Sequence, residues 1–186
     1  MERHVAPALI ETPRLRGERI GPEHQDALAA LFGDPRVGAT MGGTYTPEQV
    51  AAGIVRLQQI WAENGFGYWL FRDRETGEPV GRGGLSRVHV GGADEVEVGW
   101  AVMPDRWGRG YATELGGAAV DVAFGVLGLA DIVAFTLPDN GASRRVMDKL
   151  GFGYEREVVW ADLPHVLYRL HSPGSRLYRL HSPGSR

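Results

Sequence analysis

Residues 107–114 read WGRGYATE and combine two glycines, an arginine and the start of a helical pattern. Glycine has no Cβ, so consecutive backbone N–H groups around Gly108 and Gly110 can point into one hollow. The first turn of a helix adds unpaired N–H donors and a partial positive charge. This combination favours an anion such as a pyrophosphate, with charge-assisted contacts from Arg106 and Arg109. An ordinary glycine turn before a helix is the alternative on these residues alone.

Two other kinds of phosphate loop fit this run poorly. A P-loop would end in Gly-Lys-Ser/Thr, whereas this chain has Ala112-Thr113-Glu114 at that point. A dinucleotide fingerprint would need a third glycine near Thr113 and an acid at the end of the following strand. Asp131 precedes that strand instead of closing it.

The elements that must hold these residues follow from hydrophobic spacing and turn signals. Thr46, Pro47 and Gln49 form a capping box with proline in the first turn, so a helix begins there and stops at residues 64–65. Further helices are predicted from residues 21–22, 111 and 138–140. Strands are predicted near residues 15–20, 68–71, 80–90, 95–103, 132–135, 154–160 and 166–170, the last two joined through residues 163–164. This order predicts an α/β (α+β) fold, a mixed sheet with helices on both faces.

Composition sets the protein class. The chain has 186 residues, 43% of them apolar, a formal net charge of −3 and no cysteine. We therefore expect one domain without disulfides or cysteine-bound metal, and the six histidines show no metal-ligand spacing. The charge argues against a general nucleic-acid partner. With no signal peptide or membrane-spanning run, we expect a cytoplasmic protein with no membrane partner.

A perfect tandem repeat ends the chain. Residues 167–176 read LYRLHSPGSR, and residues 177–186 repeat them. Two copies of ten residues are too short for a solenoid. We interpret residues 1–176 as the domain and residues 177–186 as a cloning remnant or local duplication, although a second copy could also extend an edge strand and support a homodimer.

Three segments, in this order and spacing, resemble the GNAT N-acetyltransferases. They are the predicted hairpin at residues 73–81 (DRETGEPVG), residues 97–114 (EVGWAVMPDRWGRGYATE), and residues 137–152 (LPDNGASRRVMDKLGF). The resemblance extends from about residue 11 to residue 170. It is nearest to the branch that acetylates ribosomal-protein N-termini and small amines. It implies a mostly antiparallel sheet of about seven strands flanked by helices.

The resemblance also implies acetyl-CoA as the acyl donor, with its pyrophosphate held by the backbone of a Gln/Arg-x-x-Gly-x-Gly/Ala loop. The matching residues are Trp107, Gly108, Arg109, Gly110, Tyr111 and Ala112, with tryptophan in place of the usual first residue. The pantetheine arm would pair with the backbone of Trp100, Ala101 and Val102, where one N–H would polarise the thioester carbonyl. Asn140 would also bond the pantetheine.

The acceptor must be a neutral amine, because an ammonium has no lone pair. Lysine amines titrate near ~10.4 and α-amines near ~7.7–8.0, so a base is needed. In the family the strand of Glu97 runs beside the acetyl group, so Glu97 is the candidate base, directly or through water. A solvated face shared with Glu95 is the alternative. Ser143 is the candidate to protonate the leaving thiolate, or else it bonds helix backbone.

Some positions depart from the family pattern or leave alternatives open. Met147 stands where many relatives have a tyrosine acid, which gives Ser143 more weight. His165 is either a second base or a hydrogen-bonded strand residue. The acceptor side is expected to be walled by the loop at residues 32–45, made movable by its glycines, and by aromatic side chains that could instead be core: Trp61, Phe66, Tyr68 and Trp160.

The sequence therefore predicts an enzyme that moves acetyl from acetyl-CoA to a primary amine by direct attack in a ternary complex, without a metal. The acceptor could be a protein N-terminus, an amino acid or a small amine. The alternative is a non-catalytic acyl-CoA-binding or regulatory module with the same fold.

Overall fold

The computed structural model describes residues 4–173 and contains eight strands and five α-helices within them. The strands are β1 (Leu9–Glu11), β2 (Leu15–Arg19), β3 (Tyr68–Asp73), β4 (Pro79–Val90), β5 (Ala93–Val102), β6 (Asp131–Thr136), β7 (Gly153–Trp160) and β8 (Leu163–His171). The helices are α1 (Gln25–Gly33), α2 (Pro35–Met41), α3 (Pro47–Asn64), α4 (Tyr111–Asp121) and α5 (Gly141–Leu150). A π-helical turn at Val122–Val126 continues α4. No helix within the described range is long and apolar enough to span a membrane.

All eight strands form one sheet in the order β1-β2-β3-β4-β5-β6-β8-β7. Among the described residues only β5 and β6 pair in parallel, because α4 crosses over between them. The mixed, mostly antiparallel sheet with helices on both faces is confirmed, with eight strands where about seven were expected. The additional strand is β1, whose three residues pair with β2 from Leu9 opposite Glu18. So short a segment leaves no clear alternating pattern.

The sheet separates two hydrophobic cores, since successive side chains of a strand point to opposite faces. Trp69 and Phe71 of β3 pack in one core with Leu115 of α4. Tyr68 and Leu70 face the other core, which contains apolar residues of α1 and α3. Burial on both faces explains why β3 is almost continuously apolar.

Local signals set several helix ends where they were predicted. Thr46 and Gln49 form the capping box of α3, and Gly65 ends that helix with a φ of 77°. Asn140 caps α5 through its side chain, and Gly151 ends it in the left-handed region. These agreements follow from short-range chemistry at each helix end.

Two predicted connections differ from the structure. The loop at residues 32–45 contains α2, which Asp34 caps by accepting a hydrogen bond from the Arg36 N–H at 2.8 Å. Gly38 lies buried in α2, where a Cβ would come within 2.7 Å of Thr44, so this glycine provides close packing and not motion. The last two strands are joined by Ala161 and Asp162, both with positive φ, whereas the predicted link at residues 163–164 lies within β8. Neither turn residue is a glycine, so the usual hairpin signal is missing.

The repeat is only partly described. Residues 167–171 of the first copy lie in β8, while the second copy, residues 177–186, lies outside the described residues.

Candidate active site

β5 and β6 separate partway along their length, and this opening organises the site. Their parallel pairing is recorded at Glu97 and Val133 only, although β4 remains paired with β5 up to Val102 and β6 with β8 up to Thr136. The edge of β5 beyond Glu97 therefore faces the opening with its backbone groups. Trp100 and Val102 present their backbone groups on this edge, whereas the Ala101 carbonyl is turned toward β4, where a Cβ on Gly81 would lie 2.3 Å from its oxygen. One carbonyl is already used, because the Trp107 indole N–H donates to the Val102 oxygen at 2.7 Å.

The glycine-rich loop lies between β5 and α4. Gly108 and Gly110 have φ values of 75° and 79°, and Gly110 is the residue that precedes the first turn of α4. The left-handed region favours glycine, so both positions need that residue type. A Cβ on Gly108 would meet nothing within 4 Å, which shows that this part of the loop is open.

The loop presents a run of free amide donors. The Trp107 N–H donates to the Pro104 carbonyl at 3.2 Å, and the Glu114 N–H donates to the Gly110 carbonyl at 3.1 Å. Between them, the N–H groups of residues 108–113 have no hydrogen-bond acceptor within the described part of the chain. The free run thus starts one residue later than the predicted loop. Such consecutive donors at a helix start suit an anion.

The acid in the first turn of α4 does not fill this anion site. The Glu114 carboxylate accepts from the Thr12 hydroxyl at 2.6 Å, from the Arg14 N–H at 2.8 Å and from Arg14 Nε at 2.6 Å. Burial opposes its ionisation, but these hydrogen bonds outweigh burial and lower the pKa of Glu114 below its usual value. Arg14 also donates to the Arg109 carbonyl at 2.9 Å and stacks on the Tyr111 ring. Thr12 and Arg14 thus hold both the acid and the loop.

The two arginines of the loop differ in availability. Arg106 forms an ion pair with Glu78. The Arg109 guanidinium has no protein partner within residues 4–173 and is exposed.

Asn140 and Ser143 form one small network at the start of α5. The Asn140 carbonyl oxygen accepts from the Ser143 N–H at 3.1 Å, and its NH₂ group donates to Thr136 Oγ1 at 3.0 Å and to Ser143 Oγ at 3.2 Å. Both residues line the opening. Because Ser143 Oγ accepts from Asn140, its own O–H remains available to donate into the opening.

Glu97 differs from its neighbour Glu95. Arg169 binds Glu95 at 2.6 Å, and it also binds Asp131 and Glu155. Glu97 forms no ion pair or hydrogen bond with a described residue, and it lines the cleft. Burial raises the pKa of Glu97 to about 7, against the opposing charge of Arg82. The two acids therefore do not share a solvated face.

Tyr68 and Arg82 complete the surroundings of Glu97. Burial raises the pKa of Tyr68, with a further contribution from the charge of Glu97. A Cβ on Gly99 would lie 2.8 Å from the Tyr68 hydroxyl and 3.6 Å from Glu97 Oε1. Glycine at position 99 thus makes room for the phenol beside the carboxyl group.

The cleft in front of Glu97 has a volume of about 1010 Å³. Tyr68 and Trp160 line it, as expected, whereas Trp61 and Phe66 lie in the hydrophobic core with Trp69. Gly42 lies opposite Leu163 at the cleft, where a Cβ would be 3.5 Å from Leu163 Cδ1. The wall of the cleft on the side expected to take the acceptor therefore includes residues of α2, α3 and the β7–β8 turn.

His165 and Met147 are both buried, and of these two only His165 also lines the cleft. His165 is buried, and its Nδ1 lies 3.0 Å from the Leu163 carbonyl, which can only accept, so Nδ1 carries the proton. Its ring contacts Phe135 and Trp160. Met147 is buried in the core. Among the described residues, no group of three His, Asp or Glu side chains could hold a metal ion.

The sequence reasoning missed Arg82, Thr136 and the Thr12–Arg14 pair. Arg82 had a usable signal, because a single charged residue stands among glycines in the strand segment GRGG. Glycine within a strand often marks a place where a ligand or another backbone segment approaches closely, so the charged residue between these glycines was a candidate ligand contact. The contact of residues 12–14 with α4 joins positions about a hundred apart, and no local pattern reveals it.

Comparisons with known proteins agree with this geometry. The family model described as an acetyltransferase (GNAT) domain matches residues 14–153. The uncharacterized N-acetyltransferase YoaA of Bacillus subtilis is 30% identical over 152 residues, which cover 79% of this chain and 84% of that protein. The FsC-acetyl coenzyme A-N(2)-transacetylase of Aspergillus fumigatus is 32% identical over 156 residues, covering 76% of this chain and 63% of that protein.

Solved structures show the same fold. An acetyltransferase from Agrobacterium tumefaciens str. C58 superposes with a TM-score of 0.79 at 25% identity, covering 92% of this chain and 99% of that one. RimL, a ribosomal L7/L12 alpha-N-protein acetyltransferase in complex with coenzyme A, gives 0.73 at 13% identity, with 88% and 97% covered. At that identity the second likeness concerns the fold alone. With a family match over most of its length and an opening between β5 and β6 beside a free amide run, this chain belongs to the GNAT acetyltransferases.

Proposed function

We propose that this enzyme transfers the acetyl group of acetyl-CoA to a primary amine by direct attack within a ternary complex. The observation that carries the proposal is the path of the backbone from the free amides of residues 108–113, back along the edge of β5 that β6 leaves unpaired, to Glu97. One end of this path suits a pyrophosphate, its middle suits an extended amide-containing arm, and its far end holds a titratable carboxyl group.

The residues present fit acetyl-CoA as the donor. Residues 108–113 offer six N–H groups to an anion, and Arg109 adds an exposed cation. Trp100 offers backbone groups to the pantetheine, whereas the Val102 carbonyl is already bonded to Trp107 and the Ala101 carbonyl is turned toward Gly81 of β4. Acetyl-CoA, when bound there, supplies the acetyl group as a thioester.

Glu97 is the proposed base. Its pKa of about 7 leaves a large share of Glu97 ionised at neutral pH, and it lies close to the ~7.7–8.0 of an α-amine. Proton transfer to Glu97 is therefore much easier from an α-amine than from a lysine amine near ~10.4. The amine nitrogen forms a bond to the acetyl carbon, the carbon–sulfur bond breaks, and one amine proton passes to Glu97, directly or through water.

Ser143 is proposed to assist the leaving sulfur. Its hydroxyl lines the opening and is free to donate, since Asn140 supplies the hydrogen bond that Ser143 accepts. The sulfur leaves as a thiolate stabilised by this donor, and Glu97 afterwards returns its proton to water. A backbone N–H of β5 would stabilise the charge that develops on the carbonyl oxygen.

The names of one relative and of one protein that shares only the fold are consistent with this donor and acceptor. The Aspergillus fumigatus protein is named for acetyl coenzyme A and for transfer to a nitrogen, N(2). RimL is named as an alpha-N-protein acetyltransferase, and its structure contains coenzyme A. The cytoplasmic location, the possible homodimer and the domain limit at residue 176 stay predictions.

Calorimetric titration with CoA, followed by a thiol-release assay over a broad panel of amines, tests the proposal. We expect CoA binding and acetyl-CoA-dependent thiol release with at least one amine, confirmed by the mass of the acetylated product. Binding without release for any amine would favour the non-catalytic alternative. Loss of CoA binding altogether would contradict both.

A further inference from the structure

Arg82 lies on β4 in the acceptor part of the cleft, and its guanidinium stacks on aromatic rings. Its Cζ is 4.0 Å from the centroid of the Tyr68 ring and 5.2 Å from that of Phe32. The Arg82 side chain is partly buried, and its Nε is fully buried with no hydrogen-bond partner. This is the one buried side-chain polar atom without a partner among the described residues.

No described carboxylate forms an ion pair with Arg82, whereas two other arginines that are drawn in from solvent have such partners. Arg106 is bound to Glu78, and Arg169 is bound to three carboxylates. An arginine stays charged at all relevant pH values, so removing it from water without an anion is costly. The planar guanidinium matches a carboxylate in shape and charge.

Arg82 and Glu97 share one face of the sheet. In the antiparallel register Arg82 lies opposite Ala101, Gly84 opposite Gly99, and Ser86 opposite Glu97. The glycine pair between the two charged residues leaves a floor without side chains, and the Tyr68 ring lies over it. Four residues of strand separate the two backbones, about 13 Å, and the two side chains shorten this span because both interact with Tyr68.

We infer that Arg82 binds a carboxylate carried by the acceptor itself, so that the acceptor is an amine with a carboxylate nearby, as in an amino acid. Its amine lies at Glu97 and its carboxylate at Arg82, with Tyr68 between them. The inference rests on the proposed acetyl transfer and narrows its acceptor class. A purely cationic acceptor such as a polyamine is disfavoured, since it would meet the charge of Arg82.

Matched acceptor pairs test this assignment. Thiol release is measured for free amino acids and for their carboxamides, with rates expressed per neutral amine because the two amines differ in pKa. We expect the wild type to prefer the carboxylate by about 10–100-fold in kcat/KM, the range of a charge-assisted hydrogen bond. In Arg82→Gln this ratio should fall to about 1, whichever way the absolute rates move, because Glu97 serves both acceptors.

Two further variants serve as controls for the role of Arg82. Arg82→Lys keeps the charge but not the planar pair of donors, and it should retain part of the preference. Arg16→Gln removes an exposed arginine of β2 that does not line the cleft, and it should retain all of it. Equal rates for carboxylate and carboxamide in the wild type, or an unchanged preference in Arg82→Gln, would overturn the inference.

A binding measurement separates this inference from the proposed function. Amino acid and carboxamide are titrated into the CoA-saturated protein by calorimetry. If no amine is acetylated, the proposed transfer fails, yet carboxylate binding that weakens at least 10-fold in Arg82→Gln still supports Arg82 as the anion contact. Equal binding of both ligands to wild type and variant overturns it. Acetyl transfer without any carboxylate preference leaves the proposed function standing and removes the role of Arg82.

Discussion

The two ends of the proposed site are built from different parts of the chain. The donor end uses backbone: the N–H groups of residues 108–113 and the open edge of β5. The acceptor end uses side chains, chiefly Glu97, Tyr68 and Arg82, set on three neighbouring strands. Backbone groups are present whatever the side chain is, so we expect the proposed donor end to tolerate Trp107 at the first loop position. Selectivity for the acceptor must therefore come from the side-chain end.

Loss of the Glu97 carboxylate should have the largest effect. We expect Glu97→Gln to lower kcat/KM by about 10²–10³-fold, since a general base contributes on that scale. In the wild type, activity should rise with pH through about 7 and then level off, as Glu97 loses its proton. The variant should lack this rise, which a pH–rate profile with an acceptor of constant protonation state measures.

Glu157→Gln, an exposed carboxyl group of β7, is the matched control. It should keep both the rate and the pH-dependent rise. A wild-type rate in Glu97→Gln would remove Glu97 from the chemistry and leave proton transfer to water.

A substitution in the glycine loop should change the KM for acetyl-CoA and not the pH-dependent step assigned to Glu97. Gly108 has a φ of 75°, and an alanine there is strained by about 1–2 kcal/mol unless the loop moves. We expect Gly108→Ala to raise the KM for acetyl-CoA about 10-fold and to leave the acceptor preference unaltered. Steady-state kinetics with each substrate varied separates the two effects.

Gly77→Ala supplies the comparison, because Gly77 has a φ of 72° and equally open surroundings in the β3–β4 hairpin. Gly77→Ala should lower the free energy of unfolding about as much as Gly108→Ala does, without changing the KM for acetyl-CoA. Equal KM increases in both variants would mean that general strain, and not the loop, is responsible.

The hydrogen bonds between Arg14 and Glu114 should have a smaller effect on the donor end. In Arg14→Gln the negative charge of Glu114 loses its ion pair and repels an anion bound at the start of α4. The KM for acetyl-CoA should therefore rise by about 3–5-fold. Adding Glu114→Gln should restore most of the loss. A double-mutant cycle of CoA affinities checks this, and strictly additive single effects would contradict it.

The smallest effect expected is on stability. The pKa of Glu97 is about 7 in the fold and 4.5 as its usual value, so between these limits the folded state binds the extra proton. Unfolding free energy therefore falls as pH rises from about 4.5 to 7, and the charged Glu97 is destabilising above that window. Glu97→Gln should raise Tm at pH 8 by roughly 2–4 °C for each kcal/mol of this destabilisation and leave it unchanged at pH 4, which calorimetry measures. A lower Tm for the variant at pH 8 would show that the carboxylate is well paired.

The sequence predicted the local geometry of the glycine loop and the helix caps better than the arrangement of side chains around Glu97. The glycine loop and the caps at Thr46 and Asn140 depend on a few adjacent residues, so their patterns are visible along the chain. The acceptor end depends on register. Only the pairing of β4 with β5 brings Arg82, Gly84, Gly99 and Glu97 onto one face, and no short window contains all four.

The sequence also did not show which residues of similar type are buried in the core and which line the cleft. Glu95 and Glu97 look alike in an alternating strand, yet Arg169 of the distant β8 binds one and leaves the other to the cleft. Trp61 and Tyr68 were equally plausible wall residues. Their opposite fates follow from which face of the sheet each one meets.

The central claim is that the amides of residues 108–113 hold the CoA pyrophosphate beside the open edge of β5. A ¹H–¹⁵N NMR titration of labelled protein with CoA tests it most directly. We expect the largest shifts at the amides of residues 108–113, with smaller ones along residues 98–102. Saturable binding that leaves the amides of residues 108–113 unmoved would contradict the account.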